Sequence, residues 1–529
     1  RGWSVRLTVI VHTRERGAPL FRRVSEWVAA DRSQAEGRGQ AYFPPITVKV
    51  LQCSSEELFS RNEDTDIVVL ADVLADRGQQ VRSELEPLEG DDVPAKGYLP
   101  TYRARQEPFQ RGERHRRIVL SAPQQPVVVR LFLLAQHAAL DKRAPRAGHE
   151  ARFYRDLSLE AWETEIERLH DRFNWVICYD PTIDRFLLEA AFPDKVRVIR
   201  YSLGLGAKRQ HNLTVSSSGR SQLIVTRRLA ARLGQLFPQA PELFRAEVSA
   251  RLVDEAKQVS GDIVLRAAGP GAFLNELIGL VAAKFETERR AHTTRQGALA
   301  TCILLDDFEH WFGGGKFPDL LCVAISRADD GRLALRLQVL ESKCVGELSF
   351  DTEATDAQIQ VRNGVSRLAR AFAPGNAHLD ALFWYDQLYR AVAGNLAVEP
   401  EQQSLWELFR DQLHTGAFEL EISGHSWIFC YDGQATAAAG PDERPFAVQC
   451  EDAPQAPLRA HHYGRNELAA LLGALVQARG GPQAPPEVWA QPIAAKQDSE
   501  RPTANHRPQH VNDRPPTTDH RPPTTDNAP

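Results

Sequence analysis

The sequence has no methionine, no Cys-x-x-Cys pair and no apolar run long enough to cross a bilayer. Its longest apolar stretch, "VVVRLFLLA" at 127–135, is short and carries an arginine. No secretory signal opens it. The seven cysteines, at 53, 178, 302, 322, 344, 430 and 450, are scattered, several inside strand-like runs. That distribution argues against a zinc site or a disulfide scaffold, so reduced, buried thiols in a cytoplasmic protein are expected. An excess of one charge is also missing: 64 Lys and Arg against 69 Asp and Glu leave a net charge of −5. The chain as a whole is therefore no basic nucleic-acid binder, and any DNA contact has to come from local patches. Starting at arginine, lacking methionine and stopping inside a linker, the sequence reads as a piece of a longer protein, or as one from which modified methionines were lost.

Apolar and charged residues make up 43% and 25% of the chain, the proportions of a soluble globular protein. A length of 529 residues is enough for roughly two to four domains. Residues 1–245 alternate short apolar strands ("VRLTVIVHT", "ITVKVLQ", "DIVVLAD", "RRIVLSA", "WVICYD") with amphipathic helices. This alternation predicts an N-terminal α/β, Rossmann-like unit with a mostly parallel sheet. A second unit is expected over 246–400, and a small α+β extension over 401–485 whose strands complete the preceding sheet. Beyond 486 the Pro/Thr/Asp repeat "DRPPTTDHRPPTTD" contains no apolar residue, so a disordered linker is expected, joined to a partner outside this sequence.

The chemistry concentrates in "RLALRLQVLESK", residues 332–343. By strand alternation Leu333, Leu335, Leu337 and Val339 share one face, and that same face ends in Glu341 and Lys343. Burying unpaired charge is costly, so the pair calls for a partner, a metal or a task. Upstream, "FPDLLCVAIS" puts Asp319 at the start of another strand. Two carboxylates brought together suit Mg²⁺, which prefers oxygen ligands, or Mn²⁺. A nearby lysine can position or deprotonate water, or neutralise a phosphorane-like charge. The preceding helix, "PGAFLNELIGLVAAKF", turns Leu274, Leu277, Ile278, Val281 and Phe285 inward, with Glu276 off the main stripe. Glu276 is either a solvated side chain or a third metal-site carboxylate. The following helix, "DAQIQVRNGVSRLARAF", turns Val361, Val365, Leu368 and Phe372 inward, with Gln358 near the edge and Arg362, Arg367 and Arg370 away from it. Helix–strand–strand–strand–helix is the order of a restriction-endonuclease-like core.

Asp319, Glu341 and Lys343 resemble the PD-(D/E)xK nuclease motif. Residues 175–375, including "DPTIDRFLLE", "VRVIRYSLG", "NLTVSSS" and "LLDDFEHWFGGGKFPDLLCV", are similar to the region ahead of the motor in HerA/FtsK-type ATPases of bacterial defence systems, among them phosphorothioate-dependent restriction proteins. The resemblance implies a restriction-endonuclease-like αβββαβ domain in which Glu276, Asp319 and Glu341 hold Mg²⁺ or Mn²⁺ and Lys343 assists attack of water. Gln358 then contacts substrate or metal, and Arg362, Arg367 and Arg370 lie along double-stranded DNA. It further implies an ATP-driven motor in the same chain or complex and other defence subunits as partners, with no membrane. A different class of function is a catalytically inactive nuclease fold that docks DNA or a protein partner. Metal binding at Asp319 and Glu341 separates the two.

Other motifs carry less. "GGGK" at 313–316 lacks the spacing and the Ser/Thr of a phosphate loop, so it reads as a flexible loop. The basic run "YRARQEPFQRGERHRR" at 102–117 is either a track for a DNA backbone or a solvated loop. "HHY" at 461–463 has no spaced metal partner and is read as surface histidines. "NLT" at 212–214 matches a glycosylation sequon without meaning in a cytosolic chain.

Overall fold

Six strands pair in the order β10-β11-β9-β3-β1-β2 to form the first sheet. They are β1 (Leu7–Thr13), β2 (Ile46–Gln52), β3 (Ile67–Ala71), β9 (Trp175–Asp180), β10 (Arg197–Ser202) and β11 (Asn212–Ser217). In this computed structural model the described residues are 7–13, 17–37, 46–52, 66–71, 74, 79–87, 105–120, 127–141, 149–180, 183–191, 197–202, 212–217, 220–259, 261–268, 273–292, 298–313, 315–374, 380–432 and 442–478. Strands β2, β1, β3 and β9 run parallel, each a β-branched, apolar segment, whereas β11 and β10 are antiparallel additions. Helices α1 (Gly17–Gly37), α3 (Glu163–Arg172) and α4 (Arg185–Ala191) fall between the strands, as the alternation predicted.

One strand was placed in the wrong layer. "RRIVL" lies in β7 (His115–Leu120), which belongs to a separate antiparallel sheet with β4 (Gln79–Pro87), β5 (Arg105–Gln106) and β8 (His149–Ser158), in the order β4-β8-β7-β5. Its apolar content resembles that of the parallel strands, but its partners are antiparallel neighbours, which only tertiary pairing decides. The apolar stretch 127–135 forms part of α2 (Val127–Asp141), packed on this second sheet. A short bridge pairs β6 (Phe109–Gln110) with β15 (Ala397–Val398).

The third sheet has the order β12-β13-β14-β16-β18-β17. Its strands are β12 (Leu299–Leu304), β13 (Leu320–Arg327), β14 (Leu333–Val345), β16 (Phe418–Cys430), β17 (Asp442–Pro445) and β18 (Leu458–Tyr463). The first three form an antiparallel meander, then β14, β16 and β18 run parallel. The strand β16 is hydrogen-bonded along the whole of β14.

Helix α9 (Phe350–Ala371) covers one face of β14 and β16, with α10 (Ala381–Asn395) and α11 (Gln403–Thr415) on the same side. The opposite face carries α8 (Phe273–His292) and α12 (Arg465–Ala478), backed by α5 (Arg220–Leu236), α6 (Glu242–Val259) and α7 (Gly261–Ala268). Glycines permit the close approach of both covering helices. A Cβ at Gly279 of α8 would meet Ser342 Oγ at 2.9 Å, and one at Gly364 of α9 would meet Pro318 Cγ at 2.5 Å. Apolar residues of the first and third sheets belong to one continuous buried cluster.

Cys302 and Cys322, paired across β12 and β13, form a disulfide with a Cα–Cα separation of 4.1 Å. The expectation of wholly reduced thiols fails there, because antiparallel register sets the two side by side, a proximity that spacing in the chain does not reveal. Cys178, Cys344, Cys430 and Cys450 are buried. The tail predicted to be disordered, 486–529, lies outside the described residues.

Candidate active site

The apolar face of β14 is buried beneath α9 as far as Val339, and Glu341 and Lys343 continue it toward the strand end. Glu341 is fully buried, whereas the Lys343 side chain keeps 26% of its exposure. Antiparallel pairing of Leu320 with Leu340 brings Asp319, just before β13, alongside Glu341. Each carboxylate then accepts a main-chain N–H: the Asp319 N–H donates to Glu341 Oε2 at 3.0 Å, and the Ser342 N–H donates to Asp319 Oδ2 at 3.0 Å. Lys343 Nζ stands 2.7 Å from Glu341 Oε1.

Two carboxylates therefore lie in a poorly solvated corner with one ammonium, which pairs with Glu341 and reaches Asp319 through its field. Burial pushes Asp319 up to about 6, against the pull of Lys343 and the Ser342 N–H. Burial and the neighbouring Asp319 charge drive Glu341 well above the ordinary carboxylate range, Lys343 opposing. Burial works against a charged Lys343, but Glu341 and Asp319 outweigh it and raise its affinity for a proton, so the ammonium is the form present near neutrality.

Glu276, in the first turn of α8, is exposed and faces Arg266 Nη1 at 3.6 Å. Arg266 Nη2 also holds Asp306 Oδ2 at 3.2 Å. Both carboxylates raise the proton affinity of Asp319, which places them within electrostatic reach of it. Asp306 escaped the sequence reading. It arrives because the Leu305 N–H donates to the Asp319 carbonyl at 2.8 Å, a tertiary bond without a sequence signature. Among the described residues no group of three or more His, Cys, Asp or Glu is assembled for a metal. The strands bring together Asp319 and Glu341, and Glu276 stays on the rim.

With about 3.6 residues per turn, the buried line of α9 through Ala357, Val361, Gly364, Val365 and Leu368 has two flanks. One carries Glu353, Asp356, Gln360, Asn363, Arg367 and Arg370, and it faces the segment leading into Asp319. There Lys316 Nζ pairs with Asp356 Oδ2 at 2.6 Å, Gln360 Nε2 donates to the Phe317 carbonyl at 2.9 Å, and Arg367 Nε donates to the Trp311 carbonyl at 2.8 Å. Glu353 acts electrostatically on Lys343. The other flank carries Gln358 and Arg362, and the Arg362 carbonyl lies 4.0 Å from Cys450 Sγ. The helix thus separates Gln358 and Arg362 from Arg367 and Arg370. Arg370 is itself held by Asp452 at 2.7 Å.

Two peripheral readings change. The described part of the basic run contains β5, β6 and the start of β7 around an exposed turn at Arg111 and Gly112, and Arg116 is fully buried, its Nε 3.2 Å from Asp184 Oδ2 and its Nη2 donating to the Ala393 carbonyl at 2.9 Å. Alternation on β7 turns every second residue inward, which a count of charges cannot show. Nor do the histidines of "HHY" both lie at the surface. His461 is fully buried against Trp427, and its Nε2 lies 3.0 Å from Nδ1 of His425 on the adjacent strand. Burial, with Arg290 and Arg459 nearby, lowers His425 to about 4; burial, His425 and Arg290 lower His461 to about 3, so both imidazoles are neutral. The spaced partner was 36 residues upstream, visible only after β16 and β18 pair.

No family model, curated protein or solved structure matches the chain. Among the described residues no helix is long and apolar enough to cross a membrane.

Proposed function

We propose that the chain is the metal-dependent DNA endonuclease module of a bacterial restriction or anti-phage system, hydrolysing phosphodiester bonds in the cytoplasm alongside a HerA/FtsK-type translocase. The reading rests on one observation above all: Asp319 and Glu341, from adjacent strands, stand side by side in a buried corner that opens at Lys343, whose ammonium pairs with Glu341 and acts on Asp319 only at longer range. Two carboxylates with raised proton affinity are under-neutralised, and oxygen donors of this kind fit a hard divalent cation. Asp319 and Glu341 would hold it, with Glu276 at the rim. Bound there, Mg²⁺ or Mn²⁺ would supply Lewis acidity and a more acidic water.

The protein's own groups have separable parts. The Ser342 and Asp319 N–H groups fix the orientation of the two carboxylates. Lys343, held protonated by both acids, acts as a fixed positive charge beside the phosphate and as a hydrogen-bond donor to the attacking water. That role replaces general-base chemistry for Lys343. Arg367 and Arg370 belong to the flank of α9 next to Asp319 and would meet the DNA backbone, while Arg362 lies on the far flank.

The test is cleavage of plasmid and linear DNA in Mg²⁺, Mn²⁺ or EDTA, paired with thermal melts. The nuclease reading expects metal-dependent cleavage and a melting point that rises with Mg²⁺ or Mn²⁺. A melting point indifferent to both metals, with no cleavage, favours the inactive docking platform.

A further inference from the structure

We propose that a cleft beside the carboxylate pair binds a backbone phosphate of the DNA strand close to the one cleaved, an inference that rests on the nuclease reading. The cleft, of about 310 Å³, lies between Phe312, Gly315 and Lys316 on one side and the outer flank of α9 on the other, where Asn363, Ser366, Arg367 and Arg370 line it. Three cations and two neutral hydrogen-bonding side chains converge there, and no carboxylate lines it.

Several features favour a phosphodiester. Gly313 and Gly315 both adopt positive φ, 69° and 88°, which lets the chain turn sharply and present Lys316 to the helix. A Cβ at Gly315 would meet nothing within 4 Å, so a phosphate oxygen has open access to that backbone. Arg367 is pre-positioned, its Nε committed to the Trp311 carbonyl and its guanidinium carbon 5.6 Å from the Trp384 ring centroid, which leaves its terminal nitrogens as the fork that suits phosphate. Two carboxylates stand at the lip: Asp356 pairs with Lys316, and Asp452 accepts from Ser366 and Arg370. Both pairs are solvent-exposed, and such pairs are weak enough to yield to a polyanion.

Location selects the occupant. Lys316 precedes Asp319 by three residues, so their Cα atoms are at most about 11 Å apart. Successive phosphates advance about 3.4 Å along a DNA strand. A strand whose scissile phosphate sits at Asp319 and Glu341 therefore places one of its next few phosphates in the cleft. "GGGK" is no phosphate loop in the nucleotide-binding sense. The fold gives the same residues a partner helix and an anion-binding role.

The test is the anisotropy of a labelled DNA duplex titrated with the full chain in EDTA, over a range of salt. Lys316→Ala should weaken binding about 3- to 10-fold and reduce the salt slope by about one. Lys316→Glu should weaken it further, and Asn363→Ala should weaken it without changing the slope. Arg336→Ala, whose side chain pairs with Glu421 on the face opposite α9, should bind as wild type. Wild-type affinity and slope in Lys316→Ala, no duplex binding at all, or equal binding of a poly-glutamate peptide would overturn the phosphate site. Metal-induced stabilisation is read separately by melting. If Mg²⁺ stabilises and cleavage proceeds while Lys316→Ala binds as wild type, the cleft fails and the nuclease reading stands. Lys316-dependent binding without any metal response keeps the phosphate site and overturns the nuclease reading.

Discussion

Two of the buried charge clusters, Arg116 with Asp184 and Asp319 with Glu341 and Lys343, differ in how they are neutralised. At Arg116 and Asp184 both side chains are fully buried, one cation faces one anion at 3.2 Å, and Arg116 Nη2 donates to a main-chain carbonyl. The pair ties β7 to α4 and to α10 and is closed on every side. At Asp319, Glu341 and Lys343 two anions face one cation, and the cation is still partly open to solvent. A one-to-one pair is balanced in charge. A two-to-one cluster carries an electrostatic deficit that a divalent ion removes.

The largest expected effect follows from that deficit. Asp319→Asn keeps an oxygen to accept the Ser342 N–H but deletes the charge. It should reduce cleavage to background and abolish Mg²⁺-induced stabilisation, as read by plasmid nicking and melting. Substantial cleavage by this variant would remove Asp319 from the metal site. Next comes the closed pair: Asp184→Ala strands a buried guanidinium and should cost about 3–5 kcal/mol in denaturant unfolding, equally with and without Mg²⁺. A loss under about 1 kcal/mol would mean that water or another group compensates, and the contrast between the two sites would collapse.

How far the two sites were legible in the sequence follows the same division. Alternation on β14 and the apolar stripes of α8 and α9 set Glu341, Lys343 and the inward helix faces, because a period of 2 or 3.6 is written in the chain itself. The buried state of Arg116 was not legible, since its partner lies 68 residues later and the surrounding run is basic throughout. Asp306 and His425 were missed for the same reason: each reaches its partner through strand pairing. Grouping Arg362 with Arg367 and Arg370 used their distance from the apolar stripe but not the side of it, and only the neighbouring elements distinguish the flanks.

A smaller effect concerns pH. Asp319 has a folded value near 6, above the value of about 3.9 expected for an unfolded aspartate. Between those values the folded state holds more protons, so this group's contribution to metal-free stability is present at low pH and is lost as pH rises from about 4 to 6. Mg²⁺ competes with that proton. The Mg²⁺-induced rise in melting temperature should therefore be larger at about pH 7 than at about pH 5. Equal increments at both values would show that the ion binds away from Asp319.

The smallest expected effect on stability is the sharpest probe of the comparison. Lys343→Met retains an unbranched stem on the α9 face and deletes the ammonium. If the site behaved like Arg116 and Asp184, Glu341 would be left as a buried, unpaired charge, at a cost of about 3–5 kcal/mol. But Glu341 is already driven well above the ordinary carboxylate range by burial and by Asp319, so near neutrality it can take up a proton in place of its partner. The neutral acid keeps its bond from the Asp319 N–H. Metal-free stability should then change by no more than about 1 kcal/mol, while cleavage falls about 10²- to 10³-fold through loss of the fixed charge beside the phosphate. Denaturant melts in EDTA at about pH 7 measure the first and nicking assays the second. A loss as large as that of Asp184→Ala, unaffected by Mg²⁺, would make Lys343 and Glu341 a second closed structural pair and leave the nuclease reading without its central observation.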